Sequence, residues 1–192
     1  MLRLITILIF VTNLQLVEAH ESPRQFVQRF YTAHRSWPFR GVPYLEQERF
    51  ISPYCGMEII RIFRRVNDQR DLEERKFSSD PKNPYKPAWS QQGHVFCDVY
   101  EGITNFSIGR QFTVKGRMVV EAHLELVEQG KSYPWTDRVI LDRAGRNWVI
   151  ADIEYSGGGS LLESIEGGLQ QNAKYLGGDQ RTHLKSPNAN KP

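Results

Sequence analysis

The apolar residues of this chain change their spacing near Gly93, and that change limits the folds open to it. Before Gly93 they recur every three or four residues, as in amphipathic helices, and after it they alternate, as in half-buried strands. Helices followed by strands with short turns between them are typical of an α+β domain. The sequence therefore predicts N-terminal helices packed on one side of an antiparallel sheet.

The helices are predicted from capping residues as well as from spacing. Ser22 and Gln25 form a capping box at the start of the first helix, and Ser160 and Glu163 form one at the start of the last. The predicted helices cover residues 23–37, 44–51, 52–75 and 161–165.

The strands follow from alternation and from the glycines that separate the alternating segments. The predicted strands cover residues 94–100, 105–108, 117–127, 133–142 and 147–155. In the third of them Val120, Ala122 and Leu124 share one face, and only that face is apolar enough to meet a core.

Residues 1–19 have the organisation of a cleavable signal peptide. Arg3 precedes an apolar run over residues 4–11, and Val17 and Ala19 occupy the two positions that a signal peptidase selects. A membrane anchor is the alternative, but the run is shorter than the ~20 apolar residues that span a bilayer. We therefore expect cleavage near Ala19 and a periplasmic or secreted protein without a membrane span.

The remaining chain has the size of one domain. We expect a single domain over residues 20–176 and a polar, disordered tail over residues 177–192. The formal net charge of +3 is too small to indicate the concentrated basic face of a nucleic-acid-binding protein. We therefore expect no nucleic-acid partner.

Cys55 and Cys97 are the two cysteines of the chain. Because exported proteins enter an oxidising compartment, we expect them to form a disulfide, which would contribute roughly 4 kcal/mol by restricting the unfolded chain. Two buried free thiols are the alternative. Neither cysteine lies in a nucleophile motif, so a catalytic thiol is not expected.

Two of the predicted strands, with residues upstream of them, resemble a known superfamily. The pattern comprises residues 135–141 (WTDRVIL), residues 148–155 (WVIADIEY), Phe96, Glu101-Gly102 and residues 105–109. It is similar to a family of small secreted bacterial domains of unknown function in the nuclear-transport-factor-two-like, cystatin-like cone superfamily. The resemblance implies a curved antiparallel sheet around a long helix, with a conical cavity at its open end. It also makes a homodimer through the outer sheet face possible.

Asp137 and Asp152 are the candidates for catalysis, because they lie on two strands expected to pair. Two neighbouring carboxylates could divide acid and base roles if burial separated their pKa values. In the structural alternative, both accept hydrogen bonds from backbone or from a helix start and so fix the sheet against the helices.

Glu121, His123 and Glu125 project from one face of a strand in a pattern that a metal site could use. No further ligand cluster accompanies them, and a solvated or partner-covered outer face is the simpler interpretation. The chain also has no phosphate-binding glycine loop, nucleophile elbow or helix with paired zinc-binding histidines. We therefore predict neither a metal nor a cofactor.

Four residues are candidates for contacts with a ligand or partner. Tyr85 and Trp89 lie in a proline-containing loop, while Arg138 and Tyr155 lie on the strands that resemble the superfamily. We expect a non-catalytic domain that binds a small ligand or a protein. The alternative is a cofactor-independent lyase or isomerase that uses a carboxylate in the cone cavity.

Overall fold

The structure is a computed structural model and describes residues 21–77 and 93–177. Its helices are α1 (Pro23–His34), a 3₁₀ turn (Leu45–Gln47), α2 (Glu48–Ile51), α3 (Met57–Phe77) and α4 (Leu161–Gly177), and its strands are β1 (Asn105–Val114), β2 (Arg117–Glu128), β3 (Lys131–Ala144) and β4 (Asn147–Glu154). The strands form one sheet in the order β1-β2-β3-β4.

Two-residue turns connect each strand to the next and make the sheet an antiparallel meander. In the first two turns both residues have positive φ, 48° and 81° at Lys115 and Gly116, and 50° and 77° at Gln129 and Gly130. Such turns have a twist that matches the twist of the paired strands. The short connections therefore fix neighbouring strands as antiparallel partners.

The helices pack on one face of the sheet, which confirms the predicted α+β class. Helix α1 contacts β1 and β2, while α3 and α4 contact β4 and each other. The capping box at Ser22 and Gln25 is present at the start of α1. The apolar residues of the sheet that face the helices include Val120, Ala122, Leu124, Val139, Leu141, Ile150 and Ile153.

Aromatic side chains fill the space between the helices and the sheet. The ring of Phe30 is fully buried and lies 5.5 Å from the ring of Phe96 and 5.6 Å from that of Tyr54, measured between centroids. Tyr31 and Phe26 are also fully buried in this cluster. The interior is therefore a packed core at these residues.

Residues 94–100 do not form the predicted strand. The His94 N–H donates to the Tyr100 carbonyl at 3.1 Å, so the two ends of the segment lie close together and the segment is a loop. Val95, Phe96 and Cys97 are all buried. In a strand with only one face on the core, every second side chain would instead point to the solvent.

Helix α1 ends at His34, three residues earlier than predicted, and two other helix boundaries differ more. The long helix begins at Met57 and not at Ser52, because residues 52–55 form turns that end against strand β4. Helix α4 continues far past Ile165, through two glycines that reduce its intrinsic helix propensity. Packing of α4 on α3, together with the Arg65–Glu166 ion pair, stabilises this extension.

The disulfide predicted between Cys55 and Cys97 is not present in the structure, where both residues are buried free thiols. Cys55 lies in the segment that bridges to Ile150 on β4, and the Cys97 thiol donates to the Val99 carbonyl at 3.3 Å. Burial raises the pKa of both thiols, that of Cys97 to about 12. The number of cysteines in a sequence does not indicate whether their side chains lie close enough to form a bond.

The state of these cysteines has a direct test. We expect two alkylated thiols per chain in denaturant without reductant, and slow alkylation of the folded protein, because burial disfavours the reactive thiolate. Detection of two thiols only after reduction would show that the disulfide forms.

Within the described residues no helix is both long enough and apolar enough to cross a membrane. The predicted signal peptide, the Tyr85 and Trp89 loop, and residues 178–192 of the predicted tail lie outside the described residues.

Candidate functional site

A row of alternating charges crosses the face of the sheet that points away from the helices, here called the outer face. In strand order the row consists of Arg110, Glu121, Arg138 and Glu154, one residue from each strand. Glu121 is the register partner of Arg138, and Arg138 is the register partner of Glu154. Because side chains alternate between faces, their neighbours Ala122, Asp137 and Ile153 point toward the helices.

A β-bulge brings Arg110 into this row. The register between β1 and β2 shifts between Ile108 and Gln111, and the extra residue lets the Arg110 side chain reach Glu121. Its Nε lies 3.0 Å from both carboxylate oxygens of Glu121, and its Nη2 lies 3.0 Å from Oε1. This contact lowers the pKa of Glu121 through the hydrogen bond from Arg110.

The His123 ring lies next to Gly109 of β1, beside this row. A Cβ atom at Gly109 would stand 2.5 Å from His123 Nε2, so the ring occupies the space that a side chain at this position would need. His123 Nδ1 and the Thr136 hydroxyl form a hydrogen bond of 2.9 Å. The ring is therefore held between β1 and β3.

The outer face has an open pocket of about 520 Å³ at the charge row. The pocket, called the outer-face pocket below, is lined by Glu121, His123, Thr136, Arg138, Glu154, Tyr155 and Ser156. Every lining residue has a charged or polar group. Its volume lies in the range of small-molecule sites, although such sites are usually more apolar.

The charges in the outer-face pocket are unequally engaged. The Glu121 side chain is only 12% exposed and is fully paired with Arg110. The Arg138 side chain is 53% exposed, and its closest approach to Glu154 is 3.9 Å, too long for a hydrogen bond. Arg138 and Glu154 are therefore the two charges available to a ligand.

Asp137, the first catalytic candidate, lies on the opposite side of β3 and is completely buried. Its carboxylate accepts from the Asp98 N–H at 3.1 Å, the Trp135 indole N–H at 3.2 Å and the Ser156 N–H at 3.0 Å. Burial raises its pKa, while these hydrogen bonds act in the opposite direction. We call Asp137 with its three donors the Asp137 junction, and its contacts are hydrogen bonds of the kind that the structural alternative to catalysis predicts.

The Asp137 junction also fixes one wall of the outer-face pocket. Ser156 donates its N–H to Asp137 and its hydroxyl to Asp98, the latter at 2.7 Å. The Gly157 N–H donates to the same Asp98 oxygen at 2.7 Å. Both carboxylates therefore hold the segment that follows β4.

Asp152, the second candidate, has a structural contact of the other predicted kind. Its Oδ1 accepts from the Leu162 N–H at 3.1 Å in the first turn of α4, and from the Ile153 N–H at 2.8 Å. A carboxylate at a helix N-terminus satisfies an otherwise unpaired donor and interacts favourably with the helix dipole. The structure thus does not place Asp137 and Asp152 in one open site.

Of the four predicted contact residues, the structure brings Arg138 and Tyr155 together in the outer-face pocket. The Tyr155 hydroxyl donates to the Val95 carbonyl at 2.6 Å, so its ring forms a fixed wall. Sequence reasoning missed Glu154 and Ser156, although the position of Glu154 opposite Arg138 follows from pairing of the last two predicted strands.

Glu121, His123 and Glu125 share the outer face as predicted, and each is engaged with another residue. Glu121 pairs with Arg110, His123 with Thr136, and Glu125 accepts from Ser132 and from Asn105. In residues 21–77 and 93–177 no group of three or more His, Cys, Asp or Glu residues is placed to hold a metal ion.

Comparison of the chain with known protein families, curated proteins and solved structures finds no match.

Proposed function

We propose that this protein is a non-catalytic binding domain and that the outer-face pocket is its binding site. The observation that supports this proposal is the contrast between the two faces of the sheet. Aromatic rings fill the helix side, whereas the outer side has an open pocket with polar groups from three strands and the segment after β4. A ligand can therefore reach charged groups on the outer face without disrupting the core.

The alternative of a lyase or isomerase requires a carboxylate that a substrate can reach. Asp137 is 0% exposed and uses both oxygens to accept hydrogen bonds from the protein. A general base must lie within hydrogen-bond reach of the proton that it removes. The binding proposal is therefore better supported than a reaction at Asp137.

The fold family and the location of the protein are also part of this proposal. The long helix α3 and the antiparallel meander are compatible with a nuclear-transport-factor-two-like cone, and the N-terminal sequence favours export through a cleaved signal peptide. We therefore expect the binding partner outside the cytoplasm.

Arg138→Glu tests the proposal, with Arg117→Glu as a matched control. Both arginines lie on the outer face, both side chains are 53% exposed, and each approaches one carboxylate without a hydrogen bond, Arg117 approaching Asp142 at 3.3 Å. Only Arg138 lines the outer-face pocket. We expect immobilised wild-type protein and Arg117→Glu to retain the same component of periplasmic or secreted extracts. Arg138→Glu should not retain this component.

Equal retention by all three proteins would show that the pocket is not the binding site. Retention of no component by the wild-type protein, together with no change of its amide NMR spectrum on addition of the same extract, would contradict the binding proposal itself. Circular dichroism and thermal unfolding of each variant establish that a loss of retention is not a loss of fold.

A further inference from the structure

We infer that the outer-face pocket binds a small zwitterion of the amino-acid type, with its carboxylate on Arg138 and its ammonium group on Glu154. This inference rests on the proposed binding function and specifies the ligand chemistry. It follows from two charges of the pocket that share no hydrogen bond, Arg138 and Glu154.

One charge of the pocket, that of Glu121, is compensated within the protein, whereas two others are only loosely paired. Arg110 compensates Glu121 through contacts to both carboxylate oxygens. One cation and one anion then remain, Arg138 and Glu154, with side chains that are both about half exposed. A ligand with one charge would pair with one of them and face the other as a like charge, whereas a zwitterion complements both.

The Arg138–Glu154 ion pair differs from four of the five other ion pairs between described residues. In four pairs the arginine donates to both carboxylate oxygens: Arg29–Glu21, Arg64–Glu48, Arg65–Glu166 and Arg110–Glu121. Two further pairs share no hydrogen bond, Arg117–Asp142 at 3.3 Å and Arg138–Glu154 at 3.9 Å, and of these two only Arg138–Glu154 lines the outer-face pocket. An exposed pair of this kind contributes little to stability, so its exchange for contacts with a ligand costs little.

The planar guanidinium of Arg138 has the geometry that binds a carboxylate. This group has five N–H donors in a planar fork that matches the two oxygens of a carboxylate. None of the five donates to another described residue. A ligand carboxylate can therefore form the two-oxygen contact that Glu154 does not form.

The remaining lining favours a polar ligand side chain. Beyond Arg138 and Glu154 the pocket contains the Thr136 hydroxyl, the His123 ring and the Glu121 carboxylate. Its volume of about 520 Å³ leaves space beside the two charged groups of an amino acid. An uncharged hydrogen-bonding side chain such as that of glutamine suits this lining.

Isothermal titration calorimetry with the full mature chain tests the inference. The probes are L-glutamine, its decarboxylated amine and its deaminated acid, followed by other amino acids. We expect glutamine or another amino acid to bind with Kd of about 1 mM or tighter. Each singly charged counterpart should bind at least about tenfold more weakly, since it loses one charge-assisted contact.

Four variants test the assignment of the two charges. Arg138→Gln and Glu154→Gln should each weaken amino-acid binding at least about tenfold. The double variant R138E/E154R should recover most of the affinity, because it retains one cation and one anion in exchanged places. The control Arg117→Gln should bind as the wild type does.

Absence of binding by any amino acid, or wild-type affinity in Arg138→Gln, would overturn the inference. The proposed function fails separately. If Arg138→Glu loses the component captured by the wild type while no amino acid binds, the pocket is a binding site for another chemistry. If substitution of Arg138 changes neither the capture of the component nor the binding of an amino acid, both proposals fail.

Discussion

Replacement of Asp137 by alanine should lower the free energy of unfolding by about 3 kcal/mol or more, since each of three N–H donors left without an acceptor costs about 1–3 kcal/mol. The donors belong to Asp98, Trp135 and Ser156. The raised pKa of Asp137 shows that burial of its charge already costs free energy, and relief of that cost offsets part of the loss. Urea unfolding at neutral pH measures the change.

Asp142→Ala is the control for this prediction. Asp142 lies on the same strand, but its side chain is 43% exposed and its contact with Arg117 is 3.3 Å long without a hydrogen bond. We expect its loss to change the free energy of unfolding by no more than about 0.5 kcal/mol. If Asp137→Ala were equally mild, the Asp137 junction would not be the structural centre described above.

The second large effect is a loss of stability in acid caused by His34. The side chain is 5% exposed, its ring is surrounded by the rings of Phe30, Trp37, His94 and Phe96, and its Nδ1 has no hydrogen-bond partner. Burial, together with the smaller effect of the nearby His94, lowers the pKa of His34 to about 3.

The sign of the effect follows from proton binding. The pKa of an unfolded histidine is about 6.5, so between about pH 6.5 and 3 the unfolded chain binds a proton that folded His34 does not. Stability is therefore lost as the pH falls, by about 1.4 kcal/mol per pH unit from this group.

Comparison with His34→Phe isolates this contribution. Phenylalanine retains an aromatic ring in this aromatic cluster and cannot be protonated. The contributions of the carboxylates to the pH dependence of stability are the same in both proteins, so they cancel in the difference. Between pH 7 and pH 5 the wild type should lose about 2 kcal/mol more than the variant. Should His34→Phe fail to fold, His34→Gln serves the same comparison. Equal pH dependence in wild type and variant would contradict the buried, neutral state of His34.

Much of the fold could be predicted because local physics determines it. The capping box at Ser22 and Gln25 positions α1, and alternation around Val120 and Ala122 identifies which face of β2 meets the core. Glycine-containing turns then place successive strands side by side. These signals depend only on neighbouring residues, so the α+β class follows from the sequence.

The site was less predictable because it depends on contacts between distant residues. The register shift between Ile108 and Gln111, which brings Arg110 to Glu121, leaves no signal in alternation. Whether Asp137 would be accessible or enclosed depended on a loop at Asp98 and a turn at Ser156, each far away in the chain. Arg138 and Tyr155 could be named, but their meeting in one pocket required the assembled sheet.

The central claim is that ligands bind on the outer face and not in the core. Backbone amide NMR of residues 20–192, titrated with the component captured by the wild type, tests it most directly. We expect shifts at Glu121, Thr136, Arg138 and Ser156. Shifts confined to α1 and the Phe96 loop, with these four residues unchanged, would contradict it.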